Sequence, residues 1–256
     1  MPVGQLLVEG LAIGACYGLF ATAVFWLAFV ITMLFSILLG VLIEFLFLRP
    51  AKHPSILGMI VITLGAEMFL MGLASWKWGA EQKFFSLPLN PSVTYEPVKG
   101  MIINNWAIAV FAVTACIMLF LYIFFKYTKL GVAMRATQQN KHAAKIMGIR
   151  TERVFSFAWG FSSLIGAVAG MFFASRATLD PAFMMEPFLR AFAAAVLGGL
   201  MSIPGVIIGG ALMGLIENFF GYYWPHWKPI IAFIVIILVL CLRPSGLFAK
   251  HYVKKV

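Results

Sequence analysis

Charged residues are scarce in this chain of 256 residues: they make up 11% of the sequence, and only nine are acidic. Apolar residues account for 62%, and the mean hydropathy is +0.98. This composition excludes an ordinary soluble domain and predicts several membrane-spanning helices. Although the formal net charge is +10, bases beside apolar spans usually record membrane orientation. We therefore expect a lipid bilayer as the partner of this chain, and no nucleic acid.

Cysteine and histidine are also sparse, with three and four residues. Each cysteine stands alone in an apolar run, which argues against a disulfide framework or a metal site. The histidines are scattered, and the sequence has no HExxH pair, nucleophile elbow or phosphate-binding loop. We expect no catalytic residue, no metal and no cofactor bound by this chain. Uphill transport by such a chain needs a coupled ion or a separate motor.

Long apolar runs dominate what remains. Backbone groups in hydrocarbon must bond one another, and these runs lack the alternation of barrel strands. We therefore predict an all-α fold, a polytopic transmembrane helical bundle that forms a single domain over residues 1 to 256. The predicted helices are Leu11 to Ile43, Ile56 to Trp76, Trp106 to Phe125, Val154 to Ala174, Phe188 to Gly199, Val206 to Phe220 and Ile230 to Leu242.

Lysine and arginine are concentrated in three places. They lie just after the first run, between residues 126 and 153, and from Arg243 to the C-terminus, which together hold 13 of the 19 basic residues. The positive-inside rule places these regions, including the C-terminus, in the cytoplasm. The largest outer segment, residues 77 to 105, is flanked by tryptophans at the expected interfacial level.

The first apolar run lacks a turn. Leu11 to Ile43 contains 33 residues without a charge, about 50 Å as one helix, against a hydrocarbon core of about 30 Å. Two crossings need a turn, and no Gly, Pro, Asn or Asp lies near the middle of the run. Either a tight apolar hairpin forms near Phe25, or residues are missing between Thr22 and Phe29.

A second unusual segment is AAAVLGGLMSIPGVIIGGALMGLIEN, residues 193 to 218. Two short helical pieces are expected here, separated by residues 202 to 205. Interrupted segments of this kind often line the substrate route of a transporter, which makes Gly198, Gly199, Pro204 and Gly205 candidate pathway residues. The alternative is a tight loop between two packed spans, with glycines allowing close helix contact.

Glu67 lies near the middle of its predicted span, with Thr63 one turn earlier on the same face. A carboxylate at that depth costs on the order of 3 kcal/mol to insert, so it should face protein or water. Both residues are candidates for the translocation pathway, Glu67 as a polar contact or a proton site. The alternative is an interhelical hydrogen bond. Glu44 and Glu217 lie nearer the ends of their runs and are expected to be interfacial anchors.

The stretch RATQQNKHAAKIMGI, residues 135 to 149, is basic and amide-rich yet stands between two spans. In a helix over residues 137 to 147, Asn140, Ala143, Ala144 and Met147 share one face, and Gly148 stands at the expected stop. Small residues with a flexible methionine suit docking into a groove of another protein. A solvated connector, or a helix lying on anionic lipid, is the alternative.

The pattern HAAKIMG, residues 142 to 148, resembles the EAA-xxx-G loop of ABC importer permeases. The longer stretch GVAMRATQQNKHAAKIMGIRTERV resembles specifically the branched-chain amino-acid (LIV-type) permeases. GLAIGACYGL, the Gly/Pro-interrupted segment and the closing LRPSGLF are similar to the same family. Together these stretches cover most of residues 10 to 22 and 37 to 250.

The resemblance implies a permease subunit of an ABC importer in the cell (inner) membrane, carrying branched-chain or related hydrophobic amino acids. It implies two ABC ATPase subunits that hold ATP and Mg, a second homologous permease subunit and an extracytoplasmic substrate-binding protein. Within a coupling segment over residues 126 to 153, the implied ATPase-coupling residues are Arg135, Asn140, His142, Ala143, Ala144, Met147 and Gly148. Urea, short amides or aromatic acids are alternative cargo, and an ion-coupled secondary transporter or channel is an alternative mechanism.

Two departures from the family pattern stand out. His142 occupies the position where the family usually has Glu or Asp, so a carboxylate contact with the ATPase is not carried over. The family's Asn-Phe-Ala-His/Gln-Gly segment is missing where the first apolar run is too long. We therefore predict that residues are missing between positions 22 and 29.

Overall fold

The computed structural model of the protein describes residues 25–51, 56–84, 94–98, 101–199, 202–243 and 246–248. Nine α-helices and one two-stranded hairpin lie within these ranges. The helices are α1 (Phe25–Leu48), α2 (Ile56–Trp78), α3 (Asn105–Tyr127), α4 (Lys129–Gln139), α5 (Lys141–Ile146), α6 (Thr151–Ala174), α7 (Met185–Gly198), α8 (Ile203–Tyr223) and α9 (Lys228–Leu242). The strands are β1 (Thr94–Val98) and β2 (Met101–Asn104).

Five helices in the described part of the chain, α1, α2, α3, α6 and α8, are long and apolar enough to cross a membrane. Many of their large apolar side chains are exposed, among them Leu34, Phe111 and Leu215. Such exposure suits a hydrocarbon solvent, because the apolar surface need not be hidden from water. The predicted all-α, polytopic transmembrane bundle is confirmed.

The ends of the helices follow local sequence. Asn104 precedes α3 and accepts a hydrogen bond from Trp106 N through Oδ1 at 3.3 Å. Ser202 precedes α8 and accepts one from Gly205 N at 3.1 Å. Pro204 lies in the first turn of α8, where its missing N–H needs no partner. The expected separation of two helices is found, but it lies earlier than predicted: α7 ends at Gly198, Ser202 caps α8, and Ile203, Pro204 and Gly205 belong to the first turn of a helix of 21 residues.

The first apolar run is helical from Phe25 onward, and its last five residues, Glu44–Leu48, form a π-helical turn. The predicted start at Leu11 lies outside the described residues. The same holds for Thr22, so the suspected gap between positions 22 and 29 stays a prediction.

The predicted outer segment between α2 and α3 contains the antiparallel pair β1–β2, in which Tyr95 lies opposite Ile103. Near the start of α3, Trp106 Nε1 donates a hydrogen bond to Ser175 Oγ at 3.1 Å, and the Arg176 guanidinium lies 4.3 Å from the centre of the Trp106 ring. The Trp106 side chain therefore has polar partners at the end of its span, and the interfacial level expected for it stays a prediction.

The chain divides into two compact units, Met1–Leu179 and Asp180–Val256. The first contains α1 to α6. In the second, α7, α8 and α9 pack around a small core whose buried members are Ala193, Ala194, Met213, Ile231 and Ala232. The expected single domain over residues 1 to 256 stays a prediction.

Candidate functional site

The basic segment between α3 and α6 consists of two helices set end to end. Thr128 begins α4, and its Oγ1 accepts a hydrogen bond from Gly131 N at 3.0 Å. Gly131 lies against the end of α3, where a Cβ would stand 2.4 Å from the Phe124 carbonyl oxygen. Because only glycine permits that approach, α4 starts directly against α3.

Asn140 separates α4 from α5. Its backbone is extended (φ −155°, ψ 102°), and its Oδ1 accepts hydrogen bonds from His142 N and Ala143 N, both at 3.0 Å. This is an N-cap, a position that favours asparagine. The expected continuous helix over residues 137 to 147 is therefore wrong, and Asn140 caps α5 instead of joining a docking face.

Gly148 ends α5. Its φ of +83° is left-handed, and its N–H donates to the Lys145 carbonyl at 3.1 Å. The next N–H, of Ile149, donates to the Ala144 carbonyl at 3.0 Å. Gly148 is thus a C-terminal helix stop, in agreement with the sequence prediction.

One side of α5 is anchored on the protein. Ala144 is only 4% exposed, and Lys141 Nζ lies 4.8 Å from the centre of the Phe155 ring on α6. Thr151, the first residue of α6, is 2% exposed. The short helix is therefore held against the start of the following span.

The other side of α5 is open. Ile146 is 75% exposed and Met147 is 81% exposed, and Ala143, His142 and Arg135 are also exposed. Ala144 points away from this side, so the face predicted to join it with Ala143 and Met147 is not one surface. What remains is an apolar tip, Ile146 and Met147, in a segment rich in bases.

A stack of aromatic rings joins the two spans that flank this segment. The Phe124 ring of α3 lies 5.9 Å from that of Phe157 and 5.3 Å from that of Phe161, both on α6 and both nearly parallel to it. Contacts of this geometry stabilise helix pairs beyond the apolar area that they bury. Displacement of the α4–α5 segment would thus act on α3 and α6 together.

The two candidate pathway residues on α2 lie on one partly buried face. Thr63 Oγ1 donates within its own helix, with the Met59 and Ile60 carbonyls at 3.1 and 2.9 Å. Glu67 is half-buried, and within the described ranges its carboxylate makes no hydrogen bond or ion pair. The interhelical hydrogen bond considered from the sequence is not formed there.

The glycine-rich junction of α7 and α8 is tightly packed. Gly198, Gly199 and Gly205 are buried, and Pro204 is exposed in the first turn of α8. A Cβ on Gly198 would stand 2.0 Å from the Gly205 carbonyl oxygen. This arrangement is typical of glycines that permit close helix packing, and the pathway role of these four residues stays a prediction.

The closing stretch LRPSGLF completes the same junction. Leu247 N donates to the Leu197 carbonyl at 2.9 Å, and Phe248 N donates to the Gly198 carbonyl at 3.3 Å. Both acceptors lie at the end of α7, where helix carbonyls have no partner within the helix. Residues after α9 thus donate hydrogen bonds to the carbonyl groups at the end of α7.

Two polar pairs between helices were not identified from the sequence. Arg190 Nη1 on α7 lies 2.7 Å from Glu217 Oε1 on α8, and Ser156 Oγ on α6 donates to Glu44 Oε2 on α1 at 2.6 Å. Glu44 and Glu217 are therefore partnered groups, and the Glu44 side chain is only 5% exposed. The interfacial position expected for both stays a prediction. Arg190 also pairs with Glu186, one turn earlier on α7. A base in an apolar segment is the signal that could have indicated an acidic partner on another helix.

An apolar groove of about 570 Å³ lies between α8 and α9, lined by residues that include Phe220, Trp224, Ile231 and Val235. A zwitterionic amino acid requires ionic partners, so this groove is not the candidate substrate site. In the part of the chain that the structure describes, no group of three or more His, Cys, Asp or Glu side chains forms a metal site.

Comparison with known proteins agrees with these features. Residues 3–240 match the family model described as branched-chain amino acid transport system / permease component. The chain is 28% identical over 233 residues to the high-affinity branched-chain amino acid transport system permease protein BraD of Pseudomonas aeruginosa, covering 90% of this chain and 76% of BraD. It is 30% identical over 212 residues to the corresponding protein LivH of Escherichia coli, covering 81% of this chain and 69% of LivH.

A more distant relative is the autoinducer 2 import system permease protein LsrC of Yersinia pseudotuberculosis, 28% identical over 244 residues, which cover 90% of this chain and 64% of LsrC. No solved structure gives a significant match. The family match spans almost all of the described helices, including the capped α4–α5 segment and the α7–α8 junction. The chain therefore belongs to the family of permease components of branched-chain amino acid transport systems.

Proposed function

We propose that this chain is the transmembrane permease subunit of an ABC importer for branched-chain or related hydrophobic amino acids, in the cell (inner) membrane with its C-terminus cytoplasmic. The observation that carries the proposal is the α4–α5 segment, a capped helix with an exposed apolar tip held between two spans. Its partners are two ABC ATPase subunits that hold ATP and Mg, a second homologous permease subunit and an extracytoplasmic substrate-binding protein. This chain itself binds no cofactor.

In this proposal the exposed side of α5 docks into a groove of an ATPase subunit. Ala143 provides close approach and Met147 an adaptable apolar contact, while Asn140 and Gly148 fix both ends of the short helix. Arg135 and His142 lie on the exposed surface beside it. Ala144 acts from the buried side by holding α5 on the membrane domain.

Movement of the ATPase would be passed to the membrane-spanning helices through two connections. Thr128 and Gly131 tie α4 to the end of α3, and α5 lies against the start of α6. The Phe124 stack then makes α3 and α6 respond together. ATP-driven closure of the motor tilts these two spans and alternates access to the pathway.

We assign the partly buried face of α2 to the substrate pathway. Other carboxylates on the described spans are engaged: Glu44 by Ser156, Glu152 by Arg49 and Glu217 by Arg190. Glu67 alone among them keeps a carboxylate without such a partner, and an amino acid in transit presents an ammonium group that pairs with it. The four candidates at the α7–α8 junction, Gly198, Gly199, Pro204 and Gly205, act by shaping the helix hairpin that they form.

Substitution of Ala143 by Trp tests the docking. The new ring projects from the exposed side of α5, so the ATPase should no longer copurify with the permease, and ATP-dependent uptake of radiolabelled leucine into proteoliposomes should be lost. Thermal unfolding of the permease alone should stay unchanged. Ala144 is unsuitable for this test because it is buried.

Ala80→Trp is the matched control. Ala80 is exposed in the predicted outer segment after α2, so the same substitution there should leave ATPase association intact. Normal assembly and uptake in Ala143→Trp would contradict the docking proposal.

A second cargo class is kept as an alternative because relatives of this chain are not confined to one cargo: LsrC belongs to a system named for autoinducer 2 import. Urea, short amides or aromatic acids are the cargo of this alternative. The thermal shift of the cognate substrate-binding protein with leucine, urea, acetamide or benzoate separates the two. Stabilisation by leucine supports the amino-acid proposal, and stabilisation by one of the others alone contradicts it.

A further inference from the structure

Helix α6 follows the α4–α5 segment in the chain. One face of α6 contacts α1 and the residue after it at three successive positions. At the first level, Arg49 Nη2 lies 2.9 Å from Glu152 Oε2. One turn further along α6, Ser156 Oγ donates to the buried Glu44 Oε2 at 2.6 Å. These contacts join side chains more than 100 residues apart in the sequence.

At the third level the two backbones meet. A Cβ on Gly160 would stand 2.9 Å from Val41 Cγ2, and one on Gly40 would stand 2.8 Å from the Trp159 carbonyl oxygen. Glycine on each helix thus allows the close approach that brings the polar pairs into contact.

The π-helical turn of α1 explains why Glu44 and Arg49 can both contact α6. Arg49 N donates to the Glu44 carbonyl at 2.8 Å, the i to i+5 bond of a π turn. In a regular α-helix, residues five apart point about 140° away from each other. The wider π turn brings them nearly to one side. Glu44 and Arg49 can therefore face Ser156 and Glu152, which lie four residues apart on one face of α6.

We infer that Glu44 and Ser156 form a latch between α1 and α6, a pair of positioning residues that carries movement of the α4–α5 segment to α1. The inference rests on the proposed function, because the movement originates at the ATPase. Glu44 accepts a short hydrogen bond from Ser156 on α6 and is the first residue of the π-helical turn, so the pair can hold α1 in step with α6. Without the hydroxyl, a buried carboxylate loses its donor, which favours separation of the two helices.

The experiment uses the complete transporter, with its ATPase and second permease subunits, in proteoliposomes. Ser156→Ala should reduce leucine transported per ATP hydrolysed by about tenfold, in line with the loss of a hydrogen bond to a charged group. ATPase association and the rate of ATP hydrolysis should stay within about twofold, since the exposed side of α5 is unchanged. A role confined to folding would not change this ratio.

Two variants serve as controls. Ser162→Ala removes an exposed hydroxyl from the same helix and should leave the ratio of transport to hydrolysis unchanged. Glu44→Gln keeps an oxygen acceptor for Ser156 but removes the charge, so it should reduce that ratio less than Ser156→Ala does. Loss in Glu44→Gln as large as in Ser156→Ala would overturn the latch and indicate a need for the carboxylate itself.

The outcomes distinguish this inference from the proposed function. If the unaltered chain neither binds the ATPase nor transports at the cost of ATP, the proposed function fails. If the unaltered transporter works and Ser156→Ala transports as much leucine per ATP, the latch alone is overturned.

Discussion

Two close helix pairs in this chain, α1 with α6 and α7 with α8, are held together in different ways. In the second pair, the backbones interlock at Gly198, Gly205 and Gly209, and the end of α7 is closed by hydrogen bonds from the C-terminal stretch. In the first pair, Gly40 and Gly160 also allow a close approach, but a Cβ on Gly40 would face the hydroxyl of Ser163. The hydrogen bonds of this pair are made by side chains, which can rotate. Side chains can change rotamer at small cost, whereas a backbone contact requires movement of a helix.

The difference assigns different mechanical roles to the two pairs. The α7–α8 pair is suited to act as a fixed hairpin, with the Arg190–Glu217 ion pair as a further restraint on the same two helices. The α1–α6 pair depends more on side-chain contacts, so the hydrogen bond of Ser156 to Glu44 decides whether α1 follows the movement of α6. It is also the pair that contains the span directly after α5.

Gly198→Ala should have the largest effect. The new methyl group would stand 2.0 Å from the Gly205 carbonyl oxygen, and because backbone cannot rotate away, we expect destabilisation on the order of 3 kcal/mol or more. Thermal unfolding of the purified permease and its yield from the membrane measure the loss.

Gly210→Ala is the matched control for this prediction. A Cβ there would meet nothing within 4 Å, and alanine is favoured over glycine within a helix by up to about 1 kcal/mol. Equal unfolding temperatures for the two variants would contradict the interlocked packing of α7 and α8.

Gly40→Ala should have an intermediate effect. The methyl group would stand 2.2 Å from Ser163 Oγ, which can rotate, and 2.8 Å from the Trp159 carbonyl oxygen, which cannot. We expect destabilisation of about 1 to 2 kcal/mol, less than for Gly198→Ala. The measurement is thermal unfolding of the purified permease, with uptake assayed in parallel.

Gly72→Ala on α2 is the control, because a Cβ there would meet nothing within 4 Å. Adding Ser163→Gly to Gly40→Ala should restore part of the stability by removing the first obstacle. If Gly40→Ala is as damaging as Gly198→Ala, the two pairs are equally rigid and the comparison above does not hold.

The helices α1, α2 and α6 show which parts of the fold could be predicted from the sequence. The run Ile56 to Trp76 and the helix Ile56–Trp78 differ by two residues at one end, because apolar length directly reflects the thickness that a span must cross. Partner choice is different: nothing near Glu44 indicates a hydrogen bond to a serine 112 positions away. A lone carboxylate in a span indicates that a partner exists, but the helix packing decides which one.

The α4–α5 segment gives a similar lesson at shorter range. Helical periodicity placed Asn140 on a face with Ala143, whereas the preference of asparagine for N-caps was the better guide. The stop at Gly148 was predictable because its left-handed φ is a local property of glycine. The inward position of Ala144 was not, since it depends on how α5 meets α6.

His142→Glu should have the smallest effect and serves as a baseline for both helix pairs. The His142 side chain is exposed, and its backbone N–H donates a hydrogen bond to Asn140 Oδ1. A carboxylate in the first turn of α5 interacts favourably with the helix N-terminus by about 0.3 to 1 kcal/mol. The unfolding temperature should therefore change little, and affinity for the ATPase, measured by titration of the purified subunits, should change less than about tenfold.

His142→Gln, which adds no charge, separates the electrostatic contribution from the change of shape. An unfolding temperature as low for His142→Glu as for Gly40→Ala would contradict this prediction. It would mean that the imidazole takes part in packing and that the exposed side of α5 contributes to the stability of the fold.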